Sequence, residues 1–346
     1  MTWLMPPETA RQERIWMAFP SQGATVFENA ESTHEARIAW AAVAHTILDF
    51  EPVSMIVDPA DRAAARTYLS REIEVFEAPL DDAWMRDIGP TFVRRADGGL
   101  GAVDWVFNGW GARDWARWDK DAHIGGHVGQ LAGAEIISSS LVNEGGGIQV
   151  DGEGTVLVTE TVQLDPARNP GLDKLAVEAE LARTIGARHV IWLPRGLTRD
   201  AQRFGTNGHV DIVVAIPSPG RLLIHTQNNA THPDHEVTKE IIELLAQSHD
   251  AQGKPWEITQ VPAPDVLRDS EGWVDYSYIN HLVVNDGVIA CRFGDPADDI
   301  AKAILAEEYP GRAVVTVDAR EIFARGGGIH CITQQQPLQS ARKCVG

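Results

Sequence analysis

Five polar corners recur along this 346-residue chain, centred on Asp87, Glu144, His209, Asn280 and Cys331, at intervals of 57, 65, 71 and 51 residues. Between them the patterns alternate: a helix-like stretch, an apolar strand, a corner, then a strand pair of hairpin type. The period is longer than that of most solenoid repeats. No Ser-, Gly- or Pro-rich linker interrupts it. A chain of this length exceeds the usual limit of about 250–300 residues for one undivided core. It is therefore read as one closed, pseudosymmetric α/β domain spanning residues 1–346, built from repeated units whose corners meet at a central cleft.

The elements behind this reading are specific. Residues 31–48, 61–69, 173–185, 233–247 and 297–308 are read as helices, and 119–131 as a helix despite three glycines. Segments 53–57, 73–76, 90–94, 100–107, 134–137, 148–150, 155–158, 189–193, 211–216, 222–225, 257–261 and 313–317 are read as strands. Asp151-Gly152 and Asn285-Asp286-Gly287 are hairpin turns.

Composition narrows the function. A net charge of -19 argues against nucleic acid and anionic membranes as partners, and it suits a small cationic substrate or a solvated acidic surface. Three cysteines, Cys291, Cys331 and Cys344, do not form a disulfide framework and point to a reducing compartment. Met1–Pro7 lacks the basic and apolar regions of a signal peptide, and no window is long and apolar enough to span a membrane. A cytoplasmic location is the expectation.

Each corner has a bland reading when taken alone. Cys331, after Gly326-Gly327-Gly328, reads as a buried thiol beyond a tight turn. His209 and Asp211 read as a polar pair, Asp81, Asp82, Arg86 and Asp87 as a surface charge cluster, and Glu144 as a solvated turn residue. Placed on a strand, His209 and Asp211 would face the same way. Assembled in one cleft, the corners supply a thiol, an imidazole and three carboxylates, with the Trp84 indole beside them. That set suits a guanidinium, which is planar and always charged. Carboxylates pair with it bidentately, an aromatic face attracts it, and a thiolate can attack its reluctant carbon while an acid expels ammonia. Neither glycine run matches a phosphate loop. His123 with His127, and His225, His232 and His235, lack zinc-site context and are read as surface or loop residues.

The chain also resembles the agmatine deiminase (agmatine iminohydrolase) family of the guanidine-modifying superfamily, over nearly its whole length. The resemblance rests on Met5-Pro6-Pro7-Glu8, Trp16-Met17-Ala18-Phe19-Pro20, Asp82-Ala83-Trp84-Met85-Arg86-Asp87-Ile88-Gly89-Pro90 and Phe107-Asn108-Gly109-Trp110-Gly111. It continues in Glu144-Gly145-Gly146-Gly147-Ile148, Gly205-Thr206-Asn207-Gly208-His209-Val210-Asp211, Tyr278-Ile279-Asn280, Phe293-Gly294-Asp295-Pro296 and Gly326–Gln335. It implies a five-bladed α/β-propeller of ββαβ units, the pentein fold. It further implies Cys331 as nucleophile, His209 as acid then base, Asp87 and Asp211 gripping the guanidinium, and Glu144 assisting binding or proton transfer. Trp84, Asp82 and Gly328 complete the expected substrate contacts. No cofactor or metal is implied, the reaction is agmatine to N-carbamoylputrescine and ammonia, and a homodimer is the family-like assembly. Three departures accompany the resemblance: no asparagine follows Gly328, Gln149 stands where a histidine is frequent, and residues 112–142 match poorly. Other guanidines (free arginine, peptidyl-arginine, methylated arginine) therefore stay open as substrates. So do a zinc hydrolase using His209 and Asp211 and a non-catalytic guanidine-binding protein.

Overall fold

The computed structural model describes residues 2–22 and 29–339, which leaves Cys344 outside the described residues. In it, every corner residue lies two to five positions ahead of the first strand of its own small sheet. Asp87 precedes Thr91–Arg95, Glu144 precedes Gln149–Val150, His209 precedes Val214–Ser218, Asn280 precedes Leu282–Val284, and Cys331 precedes Thr333–Pro337. In each case a second strand returns antiparallel, a helix follows, and a third strand lies parallel to the second. The helices are Ile124–Leu131, Lys174–Ile185, Asp234–Ala246, Ala297–Glu308 and Ala30–Leu48. The result is a mixed α/β protein of five sheets sharing one ββαβ connectivity.

The fifth sheet is assembled from both ends of the chain. Thr333–Pro337 pairs antiparallel with Gln12–Ala18, which runs parallel to Val53–Val57 and, beyond it, Glu74–Glu77. Trp3–Leu4 adds an antiparallel edge to the sheet after Asp87. Both edges tie the N-terminal segment to distant sequence, so the strand that follows Cys331 is fixed by residues more than 300 positions away.

The elements form for ordinary reasons. Asn29 caps Ala30–Leu48 by accepting from the amides of Glu31 and Ser32, and Asp173 caps its helix through Ala176. Gly186 closes the latter helix in the left-handed conformation, φ 75°. Strands such as Val53–Val57 and Thr155–Thr159 are buried along their whole length, as expected where helices cover one face and neighbouring units the other. Trp40, Val43, Ala44 and Ile47 give Ala30–Leu48 a fully buried face, worth about 1.5–3 kcal/mol for each large side chain. No helix among the described residues is long and apolar enough to cross a membrane.

The structure corrects the sequence reading at the His209 corner. Residues 210–212 are not strand but a 3-10 turn, closed by the Val213 amide on the Val210 carbonyl, and the strand starts only at Val214. The cause lies upstream. The Asp200 carboxylate accepts from the amides of Thr206, Gly208 and His209, while Asn207 and Gly208 hold φ of 76° and 110°. The chain therefore arrives already coiled, and turn geometry rather than strand alternation aims His209 and Asp211.

Candidate active site

Cys331 lies in the turn leading to the closing strand, 7% exposed. Its Sγ receives a hydrogen bond from Asn280 Nδ2 at 3.2 Å and can donate to Asp211 Oδ2 at 3.5 Å. Burial pushes the thiol well above its ordinary pKa, and the carboxylates of Asp211 and Asp87 push it further; the Gly328 amide and Asn280 oppose them only in part. A Cβ on Gly327 would come 2.8 Å from Trp84 and 3.0 Å from Cys331 Sγ, so this glycine leaves the indole and the thiol facing across an open backbone.

His209 faces two carboxylates. Its Nε2 lies 3.1 Å from Glu144 Oε2 and its Nδ1 3.8 Å from Asp87 Oδ1. Burial alone would lower the imidazole, but Asp87 and Glu144 outweigh it and raise it to about 9. Glu144 is itself held by Arg168, whose Nε donates to both its oxygens at 3.0 and 3.1 Å. Against the effect of burial, Arg168 and His209 lower Glu144 to about 2.

Asp87 is raised to about 6. Burial is the main cause and Glu144 and Asp211 add to it, while His209 and the Trp110 indole act against it. Its Oδ2 accepts from Trp110 Nε1 at 2.9 Å and its Oδ1 from the Gly146 amide at 3.1 Å. Trp110 reaches this position from four successive residues with positive φ, Gly109 to Ala112. Two of these are not glycine, a strained backbone of the kind that concentrates at functional sites.

Asp211 Oδ2 accepts from His330 Nδ1 at 2.8 Å and Asn280 Nδ2 at 3.2 Å. His330 and His209 keep Asp211 below the usual carboxylate range despite its burial. Its Oδ1 is buried with no hydrogen-bond partner. Gly146 marks the point of convergence: a Cβ there would lie 2.5 Å from His209 Nδ1 and 3.1 Å from both Asp211 Oδ2 and Asp87 Oδ1.

Five residues singled out in the sequence, Asp87, Glu144, His209, Asp211 and Cys331, thus form one buried cluster, with Trp84 and Gly328 at its edge. Asp82 lies apart from these contacts. Its carboxylate accepts from the Ala83 amide, and burial raises it to about 7 with help from Asp81. Gln149 is buried and accepts from the adjacent Val150 amide. His225 and His232 are buried rather than superficial, and His232 donates to the Val274 carbonyl. Among the described residues no group of three or more His, Cys, Asp or Glu side chains could hold a metal ion. Sequence reasoning missed Arg168, Trp110, His330 and Glu8 as partners. The last three lie inside quoted motifs, so proximity to the corners was a usable signal. Arg168 lies in a connecting segment with none.

Comparison with known proteins agrees with this chemistry. The Porphyromonas-type peptidyl-arginine deiminase family model matches residues 4–337. A Streptomyces coelicolor chain is 56% identical, over 97% of this chain and 99% of its own length. The agmatine deiminase of Stutzerimonas stutzeri is 38% identical over 98% and 97%. The solved agmatine deiminase of Enterococcus faecalis superposes with a TM-score of 0.91 at 31% identity, covering 98% of this chain and 97% of that one. Fold and relatives together define an enzyme of the guanidine-modifying class. Within that class the chain belongs to the agmatine deiminase family.

Proposed function

We propose that the protein hydrolyses agmatine to N-carbamoylputrescine and ammonia through a covalent intermediate on Cys331. The observation that carries this reading is the convergence of Asp87, His209 and Asp211 on one point beside the Cys331 thiol. A guanidinium between Asp87 and Asp211 pairs with both, cancels the carboxylate field that adds to burial in keeping the thiol protonated, and sets a cation beside the sulfur. Substrate binding thereby releases the thiol proton to solvent and generates the nucleophile.

The Cys331 thiolate adds to the guanidinium carbon. His209, cationic at neutral pH, gives its proton to the departing nitrogen, the C–N bond breaks and ammonia leaves. A thiouronium remains on Cys331. Neutral His209 then takes a proton from water as the hydroxide adds to the same carbon. The C–S bond breaks, the thiolate returns, the hydroxyl proton passes to solvent and a urea is released. Glu144 stabilises the His209 cation and orients the ring, and Trp84 offers an aromatic face to the planar group.

A second reading, a guanidine that also carries a carboxylate, has one observation in its favour. Arg113, just past the Trp110 turn, has buried Nε and Nη2 atoms with no hydrogen-bond partner among the described residues. Ammonia release measured over agmatine, arginine, methylated arginines and short guanidino acids separates the two. The proposal expects agmatine to give the highest kcat/KM, and preference for a carboxylate-bearing substrate would replace it with the second reading.

A further inference from the structure

We propose that Glu8 and His330 form a positioning pair that holds the Asp211 carboxylate oriented beside Cys331. The inference rests on the reading above, in which Asp211 grips the guanidinium. His330 spans two carboxylates: Nδ1 donates to Asp211 Oδ2 at 2.8 Å and Nε2 to Glu8 Oε1 at 2.7 Å. Donation from both ring nitrogens requires the imidazolium form. His330 is 3% exposed and the Glu8 side chain 12%, so water competes little for either bond.

The consequence falls on the two oxygens of Asp211. Oδ2 is consumed by His330 and Asn280, whereas Oδ1 is buried and unpartnered. A buried oxygen without a donor is normally costly, so its persistence marks it as the acceptor kept for substrate N–H. Glu8 fixes the charge and ring orientation of His330, His330 fixes Oδ2, and Oδ1 is thereby presented to the cleft. Other charged groups also bear on this arrangement. Arg86, His209, Asp87 and the Cys331 thiol surround Asp211, and Arg86 and His281 face His330. Arg86 is tethered to the His330 carbonyl and to Gln335 Oε1, which leaves the imidazolium as the direct partner of Oδ2. Glu8 precedes His330 by 322 residues, so the same bond latches the N-terminal segment onto the loop that carries the nucleophile.

The test is the pH profile of kcat and of kcat/KM for Glu8→Gln, His330→Ala and His330→Asn, with Asp211→Asn measured in parallel. Glu8→Gln should lower kcat/KM roughly ten-fold, mainly through KM and increasingly as pH rises, because His330 holds its proton less firmly once the charged hydrogen bond to Glu8 is lost. His330→Asn can return an amide N–H to Oδ2 and should recover part of what His330→Ala loses, an outcome a merely structural role would not give. The double variant Glu8→Gln/His330→Asn removes both charges of the pair together, so that neither strands the other, and takes the place of any single variant that fails to fold. KM unchanged across the pH range in the folded variants, with Asp211→Asn inactive, would overturn the pairing alone. Full activity in Asp211→Asn would remove the reading of Asp211, and this inference with it.

Discussion

Arg168 donates from Nε to both oxygens of Glu144, and neither side chain reaches solvent. The pair sits directly behind His209, so it sets the charge that the imidazole faces. Arg168→Met should leave the buried Glu144 with the His209 cation but without its bidentate guanidinium, costing up to about 3–5 kcal/mol of stability. Arg168→Lys keeps the charge but loses the planar fork. It should therefore cost less stability while still lowering kcat. Thermal melts and ammonia release on the two variants check both expectations.

Gly146 is where a single methyl group should do most harm. Its backbone is not in the left-handed region, so alanine is acceptable to the chain itself. The added Cβ would nonetheless press on His209, Asp211 and Asp87 together. Displacing such groups by about 1 Å can cost roughly 100-fold in rate. Gly146→Ala should be folded and should lose at least that much kcat/KM, read from circular dichroism and steady-state kinetics.

On the proposed mechanism kcat/KM should rise with pH across neutrality, because substrate binding releases the thiol proton, and should change slope where Asp87 and His209 titrate. In that mechanism Asp87 must be ionised to bind the cation, which places the lower break at about 6. In the same mechanism His209 must be protonated to expel ammonia, so the rise should level off above about 9. Trp110→Phe removes the indole N–H from Asp87 Oδ2 and should shift only the lower break, upward. Stability follows the same groups. The raised His209 pKa contributes stability that is complete below its unfolded value and is lost as pH rises through about 9. Glu144, lowered to about 2, contributes stability that is present above the ordinary carboxylate range and is lost as pH falls through about 2.

Much of this molecule was legible in its sequence because its units repeat. Helices 173–185 and 297–308 and strands 53–57 and 189–193 carry clear apolar periodicity and appear within one residue of their expected bounds. The strand Thr333–Pro337 was not legible. Its residues, Thr-Gln-Gln-Gln-Pro, are polar yet fully buried, because Gln12–Ala18 pairs with them and Arg86 and Trp16 take the Gln335 and Gln336 side chains. Hydropathy cannot anticipate a buried polar strand whose partner lies at the other end of the chain. The candidate site divides similarly. Its titratable residues stand at the corners and were visible as motifs, whereas the groups that tune them, Arg168 above all, are brought in by tertiary packing.

The protonated state of Cys331 in the free enzyme has its own signature. Chloroacetamide and chloroacetamidine differ little in shape, but only the latter is a planar cation able to sit between Asp87 and Asp211. Inactivation by the amidine should be at least ten-fold faster at pH 7, because the bound cation favours the thiolate and offsets the carboxylates that add to burial in holding the thiol protonated. Cys291, pushed up to about 12 by burial, should remain unmodified in peptide maps. Equal rates for the two reagents would contradict a carboxylate-lined site for the cation.

Rapid-quench mass spectrometry of the enzyme turning over agmatine tests the central claim most directly. The account predicts a transient adduct with the mass of agmatine less ammonia, located on the Cys331 peptide, that disappears as N-carbamoylputrescine forms and is absent in Cys331→Ala, which releases no ammonia. Steady ammonia release by folded Cys331→Ala would contradict it.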